Sequence, residues 1–136
     1  MRGYSDRTRN IGALLGMILL SGCASTVSDL KADHVVKVVQ IEGNYQVAYR
    51  NIATMARECL TGAAWGAHWG VDGDLYTDIG TGEVTFYSVG PQGRLTGAHA
   101  EVRNVDAGTE LSIWARNESV GAIFQRWANG YKECQI

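Results

Sequence analysis

The segment WGAHWGVDGDLYTD, residues 65–78, holds the densest group of side chains that could bind a metal or a ligand. Its three aspartates alternate as calcium ligands often do: Asp72, Asp74 and Asp78. In an EF-hand loop starting at Asp72, Glu83 takes the place of the last ligand, but the essential turn glycine is replaced by Thr77. The spacing therefore predicts no calcium site, and the Asp-Gly pair at 72–73 is typical of a turn.

Zinc ligation and nucleophilic catalysis have no better support. His68 has only aspartates near it, and His34 and His99 lie on other segments. No serine stands in a G-x-S-x-G setting, and the Gly-Thr-Gly at 80–82 lacks the spacing of a phosphate-binding loop. The sequence predicts no catalytic residue, no metal and no cofactor, and a protein that is not an enzyme.

The aromatic side chains offer binding instead of catalysis, because tryptophan and tyrosine are enriched where proteins meet. Trp65 and Trp69 either cover the edge of the core or face a partner, and the sequence leaves both open. Tyr87 and Trp114 either pair across strands or form an exposed patch, since alternation puts both on a polar face. We predict partner binding by these four residues, with the patch on an uncovered sheet face.

Hydrophobic periodicity predicts the elements that position these side chains. Apolar residues at helical spacing predict a helix that begins after Asn44, a favoured N-cap residue, and ends near the Thr-Gly pair at 61–62. A second apolar stripe predicts a helix from a Ser119 cap to Gly130. Strands are predicted where β-branched residues cluster or where apolar and polar residues alternate: 34–41, 82–89, 97–105 and 108–116.

The predicted order is β-α-β-β-β-α, an α+β fold with an antiparallel sheet and two helices packed on one face. If the three later strands form a meander, both helices finish at the same end of the sheet. Cys59 closes the first helix and Cys134 follows the second, so their thiols should be neighbours. Two cysteines in an oxidising compartment usually pair, and we predict a disulfide between them.

The first 22 residues are predicted to be a secretory signal peptide. Three arginines precede an apolar run at 11–20, which is too short to span a bilayer, since a spanning helix takes roughly 20 residues. The tetrapeptide Leu20-Ser21-Gly22-Cys23 resembles the bacterial lipobox. The resemblance implies cleavage before Cys23, a diacylglycerol on its thiol and a further acyl chain, such as palmitate, on its new amino group.

The lipobox also implies a location. In enterobacterial lipoproteins an aspartate directly after the cysteine favours retention in the inner membrane, and Ala24 stands there instead. The resemblance therefore implies the periplasmic face of the outer membrane. We predict a lipidated N-terminus and tether at 23–33 and a single α+β domain at 34–136.

Charge argues against nucleic acid as a partner. The 12 basic and 14 acidic residues lose three arginines and Asp6 with the signal peptide, which leaves 9 and 13 and a net charge of −4. No basic stripe survives of the kind that binds phosphate backbones.

The lipobox together with a β-α-β-β-β-α domain resembles the helix-grip modules of the outer-membrane assembly lipoprotein BamC. The stretches YRNIATMARECL, DLYTDIGTGEVTF and GTELSIWAR and the closing Cys134 also resemble a group of small proteobacterial lipoproteins. These motifs are structural and imply no reaction. We predict a non-enzymatic structural or interaction lipoprotein of the cell envelope with a protein partner; the alternative is a module that binds a lipid or a small molecule between sheet and helices.

Overall fold

The computed structural model describes residues 25–135. The strands are β1 (Lys37–Ile41), β2 (Gly62–Ala64), β3 (Ala67–Tyr76), β4 (Thr81–Gly90), β5 (Gly93–Val105) and β6 (Gly108–Ala115). The helices are α1 (Val27–Asp33), α2 (Tyr45–Leu60) and α3 (Glu118–Ala128). All six strands form one antiparallel sheet in the order β1-β6-β5-β4-β3-β2. The predicted α+β class is confirmed.

Helices α2 and α3 cover one face of the sheet, as the alternation predicts. Asn44 caps α2 by accepting a hydrogen bond from the backbone N–H of Gln46 at 2.7 Å. The core between helices and sheet buries apolar residues from α2, α3 and the alternating positions of β4, β5 and β6, among them Ile52, Phe124, Trp127, Val84, Val102 and Leu111. Burial of such side chains is the main favourable term in folding.

Of the two predicted ends of α3, one agrees with the structure and one does not. The predicted Ser119 cap is wrong: Asn117 is the N-cap, and its side chain accepts from the backbone N–H of Ser119 at 2.8 Å. The predicted end is confirmed, because Gly130 follows the helix with a φ of 90°, a conformation that favours glycine.

The predicted turn at 72–73 is wrong, because this segment lies inside a strand. β2 and β3 form a hairpin whose two-residue loop is Trp65-Gly66, and Asp72 and Gly73 pair with Thr85 and Val84 of β4. Val71 and Leu75 pack against the core. Pairing with β4 and partial burial of these two side chains outweigh the local turn preference of Asp-Gly.

Because the unpredicted strand β3 lies between α2 and β4, the later elements run, relative to α2, in the direction opposite to the one expected. The predicted common end of the two long helices is wrong: a Cβ built at Gly130 lies 3.9 Å from Asn51 of α2, nine residues before the last residue of that helix, Leu60. The tail then runs back beside α2, where Tyr131 and Lys132 share a shallow groove with Arg50, Thr54 and Glu58.

The predicted disulfide between Cys59 and Cys134 is confirmed, with their Cα atoms 5.3 Å apart. It forms because the tail brings Cys134 to the last turn of α2, and not because the two helices end together.

The predicted tether contains a helix. α1 lies against β5 and β6, on the face opposite α2 and α3, and its Leu30 is fully buried. Thr26 and Asp29 form a capping box at its start: the Thr26 hydroxyl accepts from the backbone N–H of Asp29, whose carboxylate accepts from the backbone N–H of Thr26. Over residues 25–135, no helix has the length and apolar character needed to cross a membrane.

Candidate functional site

The face of the sheet under α1 carries a cluster of polar side chains, which we call the polar cluster: Lys31, Thr85, His99, Glu101 and Arg103. His99 and Glu101 are two residues apart on β5 and therefore point to the same face. Thr85 on β4 pairs with His99, and Lys31 reaches the cluster from α1. Register and alternation together gather these residues from three elements.

A continuous chain of hydrogen bonds runs through the polar cluster. The Thr85 hydroxyl oxygen lies 2.9 Å from His99 Nδ1, and His99 Nε2 lies 3.4 Å from Glu101 Oε1. Hydroxyl, imidazole and carboxylate follow one another in the order of a nucleophile, a base and an orienting acid. Motif spacing did not predict this arrangement, although alternation puts all three residues on one face of neighbouring strands.

Two cations hold Glu101, whose side chain is only 4 % exposed. The Lys31 ammonium donates to Oε1, and Arg103 Nη2 donates to Oε2 at 2.7 Å. Burial by itself raises the pKa of Glu101, but the hydrogen bond and charge of Lys31, together with Arg103 and His99, outweigh it, and the net pKa is lowered. Glu101 is therefore a carboxylate at neutral pH.

His99 is held in its neutral form. Burial lowers the pKa of His99, and the nearby Lys31 charge lowers it further, against the opposing effect of Glu101. A neutral imidazole donates from one ring nitrogen and accepts at the other, which suits a partner hydroxyl on one side and a carboxylate on the other.

Three members of the polar cluster, Thr85, His99 and Glu101, are buried, and this decides what they can do. Thr85 is 8 % exposed and His99 2 % exposed. Lys31 also lies over the ring of Trp114, 4.5 Å from its centroid. Within the cluster the bond between Lys31 and Glu101 holds α1 on the sheet, and the Thr85 hydroxyl is bonded to His99 beneath the surface.

Three groups in this region have donor atoms close enough to share a metal ion. One ligand atom each from Glu83, His99 and Glu101 lies within 4.8 Å of the others. Both oxygens of Glu101 already accept from cationic side chains, so a divalent ion bound to either oxygen would compete with Lys31 or Arg103. These residues fit a neutralised ionic network better than a metal site.

The sheet face that carries Tyr87 and Trp114 is not uncovered, which corrects the prediction about it. The Arg94 guanidinium stacks on Tyr87 at 3.6 Å from the ring centroid, and Tyr87 lies over Gly70, where a Cβ would meet its hydroxyl at 2.5 Å. Trp114 lies under Lys31, with its ring centroid 5.9 Å from that of His99. Both aromatic residues are half-buried.

Trp65 and Trp69 belong to the hairpin at the other edge of the sheet. Trp69 is 37 % exposed and lies on the helix side, beside Gly62. Trp65 is fully exposed at the loop and has a φ of 52°. The four predicted binding aromatics therefore do not form one patch, and the predicted lipidation residue, Cys23, lies outside the described residues.

No family model matches this chain. No curated protein and no solved structure matches it either.

A groove of about 520 Å³ opens on the far side of the molecule from the β2–β3 hairpin. It lies between the start of β1, the end of β6 and α3, and its lining is mostly apolar: Val35, Val36, Ile113, Ala115, Gly121 and Ala122, with Lys37 and Glu118 at its rim. Val35 is almost fully exposed.

Proposed function

We propose that this protein is a non-enzymatic lipoprotein of the cell envelope that serves as a structural or interaction module. It is anchored through Cys23 at the periplasmic face of the outer membrane. The observation that carries the proposal is that the chain from Ser25 onward is built into the domain and does not hang from it as a tether.

Three hydrogen bonds fix Ser25 on β5. Its backbone N–H donates to the carbonyl of Arg94 at 2.8 Å, and its hydroxyl accepts from the backbone N–H of Thr96 at 2.9 Å. The Thr96 hydroxyl in turn donates to the Ser25 carbonyl at 2.8 Å. An anchor two residues upstream would hold the domain at a fixed place on the membrane, as a scaffold or docking module requires.

Two further features support the proposal. The disulfide between Cys59 and Cys134 suits an oxidising compartment such as the periplasm. The polar cluster is closed by α1 and its carboxylate is paired with cations, so its chemistry is used inside the fold. Both features favour an exported structural module over a hydrolase.

The surface best suited to a protein partner is the open edge of β1. Within residues 25–135 this strand pairs on one side only, with β6, and its other side is an open edge of the sheet. Val35, Val36 and Val38 are exposed around it, the last by 51 %. An extended segment of a partner can add to such an edge, with backbone hydrogen bonds for affinity and the valines for apolar contact.

The anchor is tested by fractionating cells that express the full chain. We expect the wild-type protein in the outer-membrane fraction and the Cys23→Ser protein in the soluble periplasmic fraction. Equal membrane retention of both would refute the anchor.

The interaction role is tested by co-purification from detergent-solubilised membranes. Val38→Glu on β1 should abolish capture of a specific protein, whereas Val47→Glu on α2 should not, since Val47 is 50 % exposed and makes a matched control. Equal capture by the wild type and the Val38→Glu variant would exclude the β1 edge.

The groove beside α3 favours a second candidate, the binding of a lipid or other apolar molecule. Native mass spectrometry of the Cys23→Ser chain should then reveal a bound molecule, and Ala122→Trp, which fills the groove, should remove it. A spectrum with only the mass of the chain would exclude this candidate.

A further inference from the structure

Two hairpin loops lie side by side at one end of the sheet. His68 of β3 pairs with Val89 of β4, and a Cβ at Gly90 would contact the Cβ of Ala67 at 3.8 Å. The Trp65-Gly66 loop and the Pro91-Gln92 loop are therefore neighbours. We call residues 64–67 and 90–95 the hairpin end.

The first described residue, Ser25, lies at this same end. Ser25 is hydrogen-bonded to Arg94 and Thr96, at the start of β5. Two residues of chain span at most about 7 Å. A lipid attached to Cys23 would bring a bilayer to the hairpin end.

The exposure and the backbone conformation of Trp65 are both unusual for a tryptophan. It is fully exposed, and its φ of 52° is one that a bulky side chain rarely adopts. Gly66 follows with a φ of 76°, so both loop residues have the positive φ of a type I′ turn, for which Asn-Gly is the favoured pair. Residues with backbone strain of this kind cluster at functional sites.

The hairpin end contains no aspartate or glutamate of its own, although the carboxylates of Asp72 and Asp29 lie next to it, on Arg94 and on the segment that follows Ser25. No aspartate or glutamate occurs in 61–71 or in 84–100, and Leu95 is 44 % exposed beside the exposed Pro91. Arg94, the only lysine or arginine in these two segments, is paired with Asp72 at 2.7 Å. The three loops at the opposite end of the sheet each carry an acid: Glu42, Asp78 and Asp106.

We propose that the hairpin end rests on the lipid surface that holds the anchor, with Trp65 inserted at the interface between headgroups and acyl chains. Tryptophan suits this zone because one part of the indole is apolar and its N–H can meet water. The acidic loops then face away from the bilayer. This contact rests on the proposed lipid anchor and deepens it, because it gives the domain a fixed orientation.

The test measures quenching of tryptophan fluorescence by brominated lipids. The full lipidated chain is reconstituted in phosphatidylcholine vesicles with and without bromine on the acyl chains, and bound protein is recovered by flotation. We expect quenching in the wild type and its loss in Trp65→Asn, which keeps the loop conformation favourable. Ile79→Asn is the matched control, since Ile79 is 69 % exposed in a loop at the opposite end, and should be quenched as the wild type is.

The outcomes separate the contact from the anchor. A wild-type chain that floats with vesicles but gives the same emission in both lipids overturns the contact and leaves the anchor in place. A chain that does not float removes the anchor and the contact together. A Trp65→Asn chain that keeps full quenching but loses a co-purifying protein assigns Trp65 to a protein partner and also overturns the contact.

Discussion

The ammonium of Lys31 on α1 donates to the buried carboxylate of Glu101 on β5, across the face of the sheet that α2 and α3 leave open. This ion pair joins the N-terminal segment to the centre of the sheet. Together with the burial of Leu30 and the hydrogen bonds of Ser25, it makes residues that follow the predicted lipidation site part of the folded unit.

Replacing Lys31 with methionine should destabilise the protein by about 1–2 kcal/mol, because Glu101 loses one of its two cationic partners while it stays buried. The value is below that of a fully buried pair, since the Lys31 side chain is 34 % exposed and solvent screens its charge. Urea unfolding measures the change. Lys31→Arg should recover most of the loss, and Lys132→Met, at an exposed position of the tail, should have little effect; equal losses for both methionine variants would contradict the role of the pair.

Acid should weaken the fold in two stages. The pKa of His99 is lowered in the folded state from 6.5, so below that pH the unfolded chain binds more protons and stability falls as the pH drops through the folded pKa. The pKa of Glu101 is lowered from 4.5, so its contribution is present above 4.5 and is lost as the pH falls through its folded value. The unfolding free energy is measured between pH 7.5 and 5 for the wild type and for His99→Asn. Because the variant lacks the titrating imidazole, its stability should fall less steeply with pH, and this difference in slope isolates the first stage. An unchanged slope in the variant would assign it to other groups.

Removing the disulfide should lower the stability of the secreted domain by roughly 4 kcal/mol, because the bridge spans 75 residues and restricts the unfolded chain. The comparison is between the wild type and the double variant Cys59→Ser, Cys134→Ser in urea without reductant. A thiol reagent should label the wild-type domain only after the disulfide has been reduced. Labelling before reduction would show that the two thiols are free.

Trp65→Asn should leave the fold intact and stabilise it by about 0.5 kcal/mol, because asparagine tolerates a positive φ better than tryptophan. The side chain is fully exposed, so little packing is lost. Thermal unfolding of the Cys23→Ser chain measures this without lipid. The matched change Trp69→Asn should destabilise, since Trp69 is partly buried beside Gly62; a destabilised Trp65→Asn would mean that Trp65 packs on the domain.

Much of the fold could be predicted because its elements are recorded in local periodicity. The stripe from Tyr45 to Leu60 follows the helical repeat, and Val84, Ala100 and Leu111 lie at alternating positions of strands whose other side is polar. The pairing of Cys59 with Cys134 followed from compartment chemistry, although the path that brings them together did not.

The two long helices, the alternating strands and the cysteine pair can be read from the sequence, since each depends on neighbouring residues or on counting. The remaining features depend on contacts that form only in the folded chain. α1 has seven residues and a single buried side chain, too little for a helix that forms alone, and it exists because Leu30 and Lys31 find partners on β5 and β6. β3 overrides its Asp-Gly pair through contact with β4, and register alone brings Thr85, His99 and Glu101 within hydrogen-bonding distance. These features depend on residues distant in the chain, whose proximity no local pattern records.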